Sequence, residues 1–140
     1  MSLDTMSDYG LKLVGSFSID GATFVIHIID GSLVREQRCI YAFVIDGKVV
    51  RIGSSKGVLA RRLAAWERDV SRALAGDKSP TPAWEAAAWK ELLGTHKFGE
   101  IFARPGTDVE TPIGRISAYL DEESVLIGRH RPSLNRNMHR

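Results

Sequence analysis

The stretch Cys39-Ile40-Tyr41-Ala42-Phe43-Val44-Ile45-Asp46-Gly47-Lys48-Val49-Val50-Arg51-Ile52-Gly53 decides the fold. Two runs rich in β-branched and aromatic residues flank one Asp-Gly pair, the strongest short-range signal for a β-hairpin. Two more such pairs, Asp20-Gly21 and Asp30-Gly31, stand upstream at strand spacing. Strands are therefore expected near residues 11–19, 22–29, 40–45 and 48–52, while residues 32–38 show no readable period. The register of the central hairpin decides what faces what. A two-residue turn at Asp46-Gly47 pairs Ile45 with Lys48 and sends Tyr41 and Arg51 to opposite faces. A three-residue loop with Gly47 in a G1 bulge pairs Val44 with Lys48 and sets Tyr41 across from Arg51. The bulged form is the expectation.

Downstream the period changes. Leu59, Leu63, Trp66, Val70 and Leu74 recur at helical steps up to Gly76, which predicts one amphipathic helix. Thr81-Pro82 is a cap signal opening a second helix to about Leu93, before Gly94. Residues 98–103 suit one more strand. Thr111-Pro112 repeats the cap signal and opens a last helix through His130, stopped by Pro132. The order from Ile40 is strand, strand, helix, helix, strand, helix. This is an α+β fold: a small antiparallel three-stranded sheet flanked by helices, with an extra N-terminal β-hairpin. Residues 1–38 form the hairpin extension and residues 39–140 the main unit of one compact domain.

At 140 residues the chain is long enough to bury roughly two-thirds of its unfolded surface. No run approaches the ~18 apolar residues of a membrane span, and the N-terminus lacks a secretory pattern. The single cysteine, Cys39, excludes an internal disulfide and a cysteine metal cluster and points to a reducing cytoplasm. A net charge of +2 is too small to imply nucleic acid, but its distribution says more. Lys48, Arg51, Lys56, Arg61, Arg62, Arg68 and Arg72 are opposed over that span only by Glu67 and Asp69. Arg129, Arg131, Arg136 and Arg140, with His130 and His139, form a second basic segment. Two such segments can converge on a polyanion; solvated helix faces and a frayed tail account for them equally well.

At 100° per residue, Ile113, Ile116, Leu120 and Ile127 fall in a stripe about 60° wide on the last predicted helix. Glu123 lies inside that stripe, and Asp121 and Glu122 point toward the expected solvent face. A carboxylate there needs a cation, a metal or a proton; a place at the helix margin, or an arginine partner, also satisfies it. On the helix over residues 59–74, Arg61 projects nearly opposite the apolar stripe. Arg62 lies on its flank, roughly 70° from the centre, where it reaches toward the sheet or covers core with its aliphatic stem.

These pieces together resemble the GIY-YIG nuclease domain. Cys39-Ile40-Tyr41 begins one strand, Arg51-Ile52-Gly53 ends the next, and Leu59-Ala60-Arg61-Arg62-Leu63 opens the helix. The most specific segment is Glu123-Ser124-Val125-Leu126-Ile127, continuing through Pro132-Ser133-Leu134-Asn135. The resemblance covers residues 39–135. It implies a DNA endonuclease using one Mg²⁺ or Mn²⁺ ion held by Glu123. Tyr41 then matches the family's general base or water-positioner, Arg62 the arginine on the scissile phosphate, and Asn135 an asparagine near the site. The match to Arg62 needs one inserted residue in the preceding loop, and the helical-face argument favours it over Arg61. Lys48, Lys56, Arg61, Arg129 and Arg131 are expected DNA contacts. Two positions depart from the family: Cys39 replaces a glycine, and Arg51 replaces the second motif's tyrosine, where some branches have lysine.

Two other readings fit the same residues. One is a catalytically weak or inactive DNA-binding module of the same fold. The other is a domain acting through a protein partner, for which Trp84 and Trp89 mark the face to inspect. With one site per chain, a double-strand cut would need a homodimer or two visits.

Overall fold

The computed structural model describes residues 3–94 and 97–135; Arg136, His139 and Arg140 of the second basic segment lie outside them. In chain order the elements are α1 (Leu3–Asp8), β1 (Lys12–Asp20), β2 (Thr23–Ile28), a 3-10 turn (Leu33–Arg35), β3 (Cys39–Ile45) and β4 (Lys48–Ser55). Then follow α2 (Leu59–Leu74), α3 (Ala83–Leu93), β5 (Gly99–Pro105), β6 (Asp108–Thr111), β7 (Gly114–Ser117) and α4 (Tyr119–His130). Helix α2 spans the residues its apolar stripe predicts, and it buries Leu59, Leu63, Trp66 and Val70. The second cap lies one residue later than expected, with Pro82 rather than Thr81 preceding the helix. No described helix is long and apolar enough to cross a membrane.

The sheet has five strands rather than three, in the order β2-β1-β5-β3-β4 with antiparallel neighbours. Strand β5 lies at its centre, paired with β3 on one side and with β1 on the other, from Lys12↔Ala103 to Phe17↔Gly99. Without β1, that side of β5 would be an unpaired edge. The N-terminal hairpin fills it and brings Val14, Phe17 and Phe24 into the main core. Both outer edges are also covered. On β2, Ser71 Oγ accepts from Phe24 N (2.9 Å) and Glu67 Oε2 from Ile26 N (2.7 Å).

One face of the sheet packs on α2 and α3 through an aromatic cluster, in which Phe43 lies 5.1 Å from Trp66 and 5.3 Å from Trp89 between ring centroids. The other face packs on α4, where Ile40, Ala42, Ile52 and Phe102 meet Leu126 and Ile127.

The central hairpin corrects the expected register. Ile45 pairs with Lys48, and Asp46 and Gly47 both have positive φ (52° and 76°), the two-residue turn that an Asp-Gly pair favours. The irregularity sits farther along the hairpin, between Phe43 and Val44, where Val49 pairs with Val44 and Arg51 with Phe43. Val50 is therefore the extra residue of a bulge. It restores Arg51 to the face that carries Tyr41, but Tyr41 lies across from Gly53 and Arg51 is its diagonal neighbour.

The last helix begins at Tyr119, not at Pro112. Residues 108–117 instead form the β6–β7 hairpin, paired Val109↔Ile116 and Thr111↔Gly114. The turn overrides the helical period: Gly114 sits at φ 122°, and Thr111 Oγ1 donates to Gly114 O at 2.6 Å. Ile113, Ile116 and Leu120 are consequently exposed, at 92%, 50% and 57%. The apolar face around Glu123 is built from Tyr119, Leu126 and Ile127. These lie at i−4, i+3 and i+4 from Glu123, so the carboxylate still stands on the apolar side.

Candidate functional site

Tyr41 is fully buried, and its phenol oxygen accepts from Trp66 Nε1 (2.7 Å) and Arg62 Nε (3.1 Å). The ring extends across β4: a Cβ on Gly53 would stand 2.4 Å from the hydroxyl. Only glycine opposite Tyr41 leaves room for the phenol to reach the edge strand, which is the physical role of Gly53 in the Arg51-Ile52-Gly53 segment. Arg62 is itself exposed and borders two surface clefts. Among the described residues no carboxylate lies within ion-pair distance of it. The Tyr41 phenol raises the pKa of Arg62 against the opposing effect of burial, and Asp69 and Glu123 add to it.

Glu123 approaches the same stretch of β4 from the other face. Its Oε1 accepts from Ser54 Oγ at 2.9 Å, next to the glycine that Tyr41 crosses. The carboxylate is half-buried and has no ion pair among the described residues. Its neighbour Glu122, expected in solvent, is committed to structure. It takes Arg104 in a two-point ion pair (2.7 and 3.2 Å) and also accepts from Thr107 N and Oγ1. Burial alone would raise the Glu122 carboxyl, but the hydrogen bonds from Arg104 and Thr107 overcome it and lower the pKa to about 2.

Arg51 lies within the fold rather than at the open edge. Its Nη1 donates to Leu134 O and lies 3.5 Å from Glu85 Oε1, and its Cζ stands 5.2 Å from the Trp66 ring centroid. Asn135 is 1% exposed. Its amide is engaged with the backbone of Ile52, Oδ1 accepting from the N–H and Nδ2 donating to the C=O, both at 2.8 Å. With Leu134 N on Val50 O (2.9 Å), it docks the segment after α4 along β4, as a further strand would. Asn135 thus fixes the edge strand whose next residues are Gly53 and Ser54.

The basic residues divide into two groups. Lys56, Arg61 and Arg62 border one groove with Ser54 and Ser55, and Ser54 is the residue that meets Glu123. Lys48 begins β4, about 20 Å from Ser54 at the usual strand rise. Arg129 and Arg131 are exposed at the far end of α4. Cys39 is buried, and burial, with the Glu36 carboxylate, raises its thiol to about 11, so it stays protonated and is no nucleophile. Trp89 is buried and Trp84 half-buried, so neither stands out from the surface.

Three side chains at the site were not singled out from sequence. Trp66 reads as one more position of the α2 stripe; its signal was an indole N–H, which needs a partner when buried. Glu85 is a carboxylate inside an apolar stretch, Ala83-Trp84-Glu85-Ala86, and those apolar neighbours are its signal. Ser54 carries no sequence signal.

No protein-family model matches the chain, and no curated protein does. Several solved chains share its fold, two of them as follows. A mutant of bacteriophage T4 EndoII superposes with a TM-score of 0.64 at 17% identity, covering 93% of this chain and 95% of that one. The restriction endonuclease HPY188I in complex with product DNA gives a TM-score of 0.53 at 20% identity, over 93% and 87% of the two chains.

Proposed function

We propose that the chain is a DNA endonuclease that hydrolyses phosphodiester bonds with a single Mg²⁺ or Mn²⁺ ion. One observation carries the reading: Glu123, a half-buried carboxylate with no ion-pair partner among the described residues, meets β4 next to the strand position that Tyr41 and the exposed Arg62 approach from the other face. The likeness in fold to two nucleases, one bound to product DNA, supports it, as does the GIY-YIG resemblance of residues 39–135.

The donor set suits a hard ion. Glu123 and Ser54 offer oxygen alone, and no cluster of three or more His, Cys, Asp or Glu exists among the described residues. One carboxylate is sufficient for Mg²⁺, which keeps several waters and takes further ligands from phosphate. When bound, the ion supplies Lewis-acid stabilisation of the phosphoryl and departing 3′-oxygens. Glu123 would hold it, with Ser54 Oγ–H orienting Oε1. The terminal nitrogens of Arg62 would bind the scissile phosphate and stabilise the charge that develops on it. The Tyr41 phenol already accepts two hydrogen bonds, so as a phenol it can only donate its own proton, and it would orient a water once a shift of the Arg62 side chain uncovers the buried hydroxyl. As phenolate, the same oxygen has one further acceptor position for a proton of that water. Lys56 and Arg61 extend the groove along the DNA backbone.

Nicking of supercoiled plasmid with Mg²⁺ or Mn²⁺ tests the reading. Glu123→Ala is expected to lower the rate on the order of 10³-fold, several kcal/mol of lost stabilisation, with DNA still bound. Equal nicking by both proteins would sink the metal assignment. Arg51, a cation where the resemblance expects a phenol, favours a second reading, a DNA-binding module without chemistry. That reading requires metal-independent, salt-sensitive binding and no cleavage at any metal concentration.

A further inference from the structure

The surroundings of Arg51 contain a buried carboxylate that the reaction above does not use. We propose that Glu85 is a positioning residue: it holds Arg51 on the Trp66 indole and thereby fixes Trp66 Nε1 on the phenol oxygen of Tyr41. The inference rests on the nuclease reading for its effect on catalysis.

Glu85 has a side chain only 7% exposed, and a carboxylate so placed must be paired. Oε1 faces Arg51 Nη1 at 3.5 Å, and Oε2 accepts from Trp89 Nε1, one helical turn along α3, at 3.2 Å. Trp89 is fully buried in the aromatic cluster, so Glu85 has a rigid support. Arg51 is held less completely. Its Nε is buried without a hydrogen-bond partner, which leaves Nη1 and the indole face as its anchors. The guanidiniums of Arg51 and Arg62 lie 5.2 and 5.8 Å from the same Trp66 centroid. A cleft of about 150 Å³ beside them, bordered by Arg51, Arg62, Trp66 and Glu85, gives the indole space to shift once Arg51 lets go. Glu85 also keeps the Arg51 charge internal, so that phosphate meets Arg62 rather than both arginines.

Glu85→Gln keeps the volume and an acceptor for Trp89 but removes the charge. The expected result has opposite signs. The nicking kcat falls about tenfold while metal-free DNA binding tightens, and its log K against log salt slope steepens by about one. A purely structural role would weaken both. In an Arg51→Met background, Glu85→Gln is expected to change kcat no further. Arg51→Met/Glu85→Gln, which replaces the pair by neutral groups, serves as the folded control. Additive losses of kcat, or an unchanged kcat and salt slope in Glu85→Gln, overturn the proposal. If wild type does not cleave, the nuclease reading fails by itself. Near-ultraviolet circular dichroism then decides this inference: Glu85→Gln and Arg51→Met should perturb the tryptophan bands alike, and an unchanged spectrum refutes it.

Discussion

Helices α3 and α4, on opposite faces of the sheet, each carry a glutamate into an apolar environment, and the two differ in what meets them. Glu85 on α3 finds an arginine and an indole N–H. Glu123 on α4 finds one serine hydroxyl. The first is a closed arrangement, which fixes its neighbours and leaves nothing for a ligand. The second is an open one: among the described residues Glu123 has no ion-pair partner, and neither does Arg62, which feels the Glu123 carboxylate only from beyond ion-pair distance. Burial of a charged group is therefore compatible with a purely internal role, and it is the missing countercharge that singles out Glu123 as the candidate for a ligand. Glu122 strengthens the contrast, since one residue before Glu123 it resembles Glu85, saturated by Arg104 and Thr107.

The largest expected effect comes from giving Glu123 the countercharge that Glu85 already has. Ser54→Lys should place an ammonium beside Oε1 and lower metal-dependent nicking on the order of 10³-fold, as Glu123→Ala does. Full activity in a nicking assay of this variant would show that Glu123 needs no open coordination.

Gly53→Ala separates the two faces. The new Cβ would stand 2.4 Å from the Tyr41 hydroxyl, so the phenol must move off the edge strand while Ser54 and Glu123 stay in place. A stability loss of about 1–3 kcal/mol is expected from overpacking, measured by urea unfolding, together with slower nicking. Metal binding by the folded variant should persist, read by calorimetry with Mn²⁺.

The smallest effect concerns Glu122 in acid. Its carboxyl is lowered from 4.5 to about 2, so its contribution to stability is complete above pH 4.5 and is lost as pH falls toward 2. Discounted for solvent screening of a partly exposed pair, that contribution is on the order of 2 kcal/mol. Glu122→Gln should flatten the unfolding free energy across this window, and an unchanged acid limb would contradict the assignment of Arg104 and Thr107 as its partners.

Local patterns were legible wherever one period acted alone. The steps from Leu59 to Leu74 gave α2 its bounds because every stripe residue faces the core, and the same projection separated Arg62 from Arg61. The pattern failed at residues 108–117, where Ile113 and Ile116 mimic a helical stripe. There Thr111 and Gly114 build a turn that no hydrophobic period reports. Glu123 was picked out with the wrong neighbours: Tyr119, Leu126 and Ile127 make the apolar face, and Ile113, Ile116 and Leu120 do not. The central hairpin shows the reverse. The bulge expected at the turn lies instead at Val50, yet Arg51 still reaches the Tyr41 face.

The sequence by itself determined the elements on which the site stands: the Asp-Gly turn, the α2 stripe, and the positions of Tyr41, Arg62 and Glu123. Turn chemistry and amphipathic period act over a few residues and can be read along the chain. Only the tertiary structure decided that the N-terminal hairpin completes a five-stranded sheet through β5. It alone brought Trp66 to the Tyr41 phenol, Glu85 to Arg51 and Ser54 to Glu123. Those pairings join residues far apart in the chain, and they are selected by the need to satisfy buried polar groups once the faces have packed.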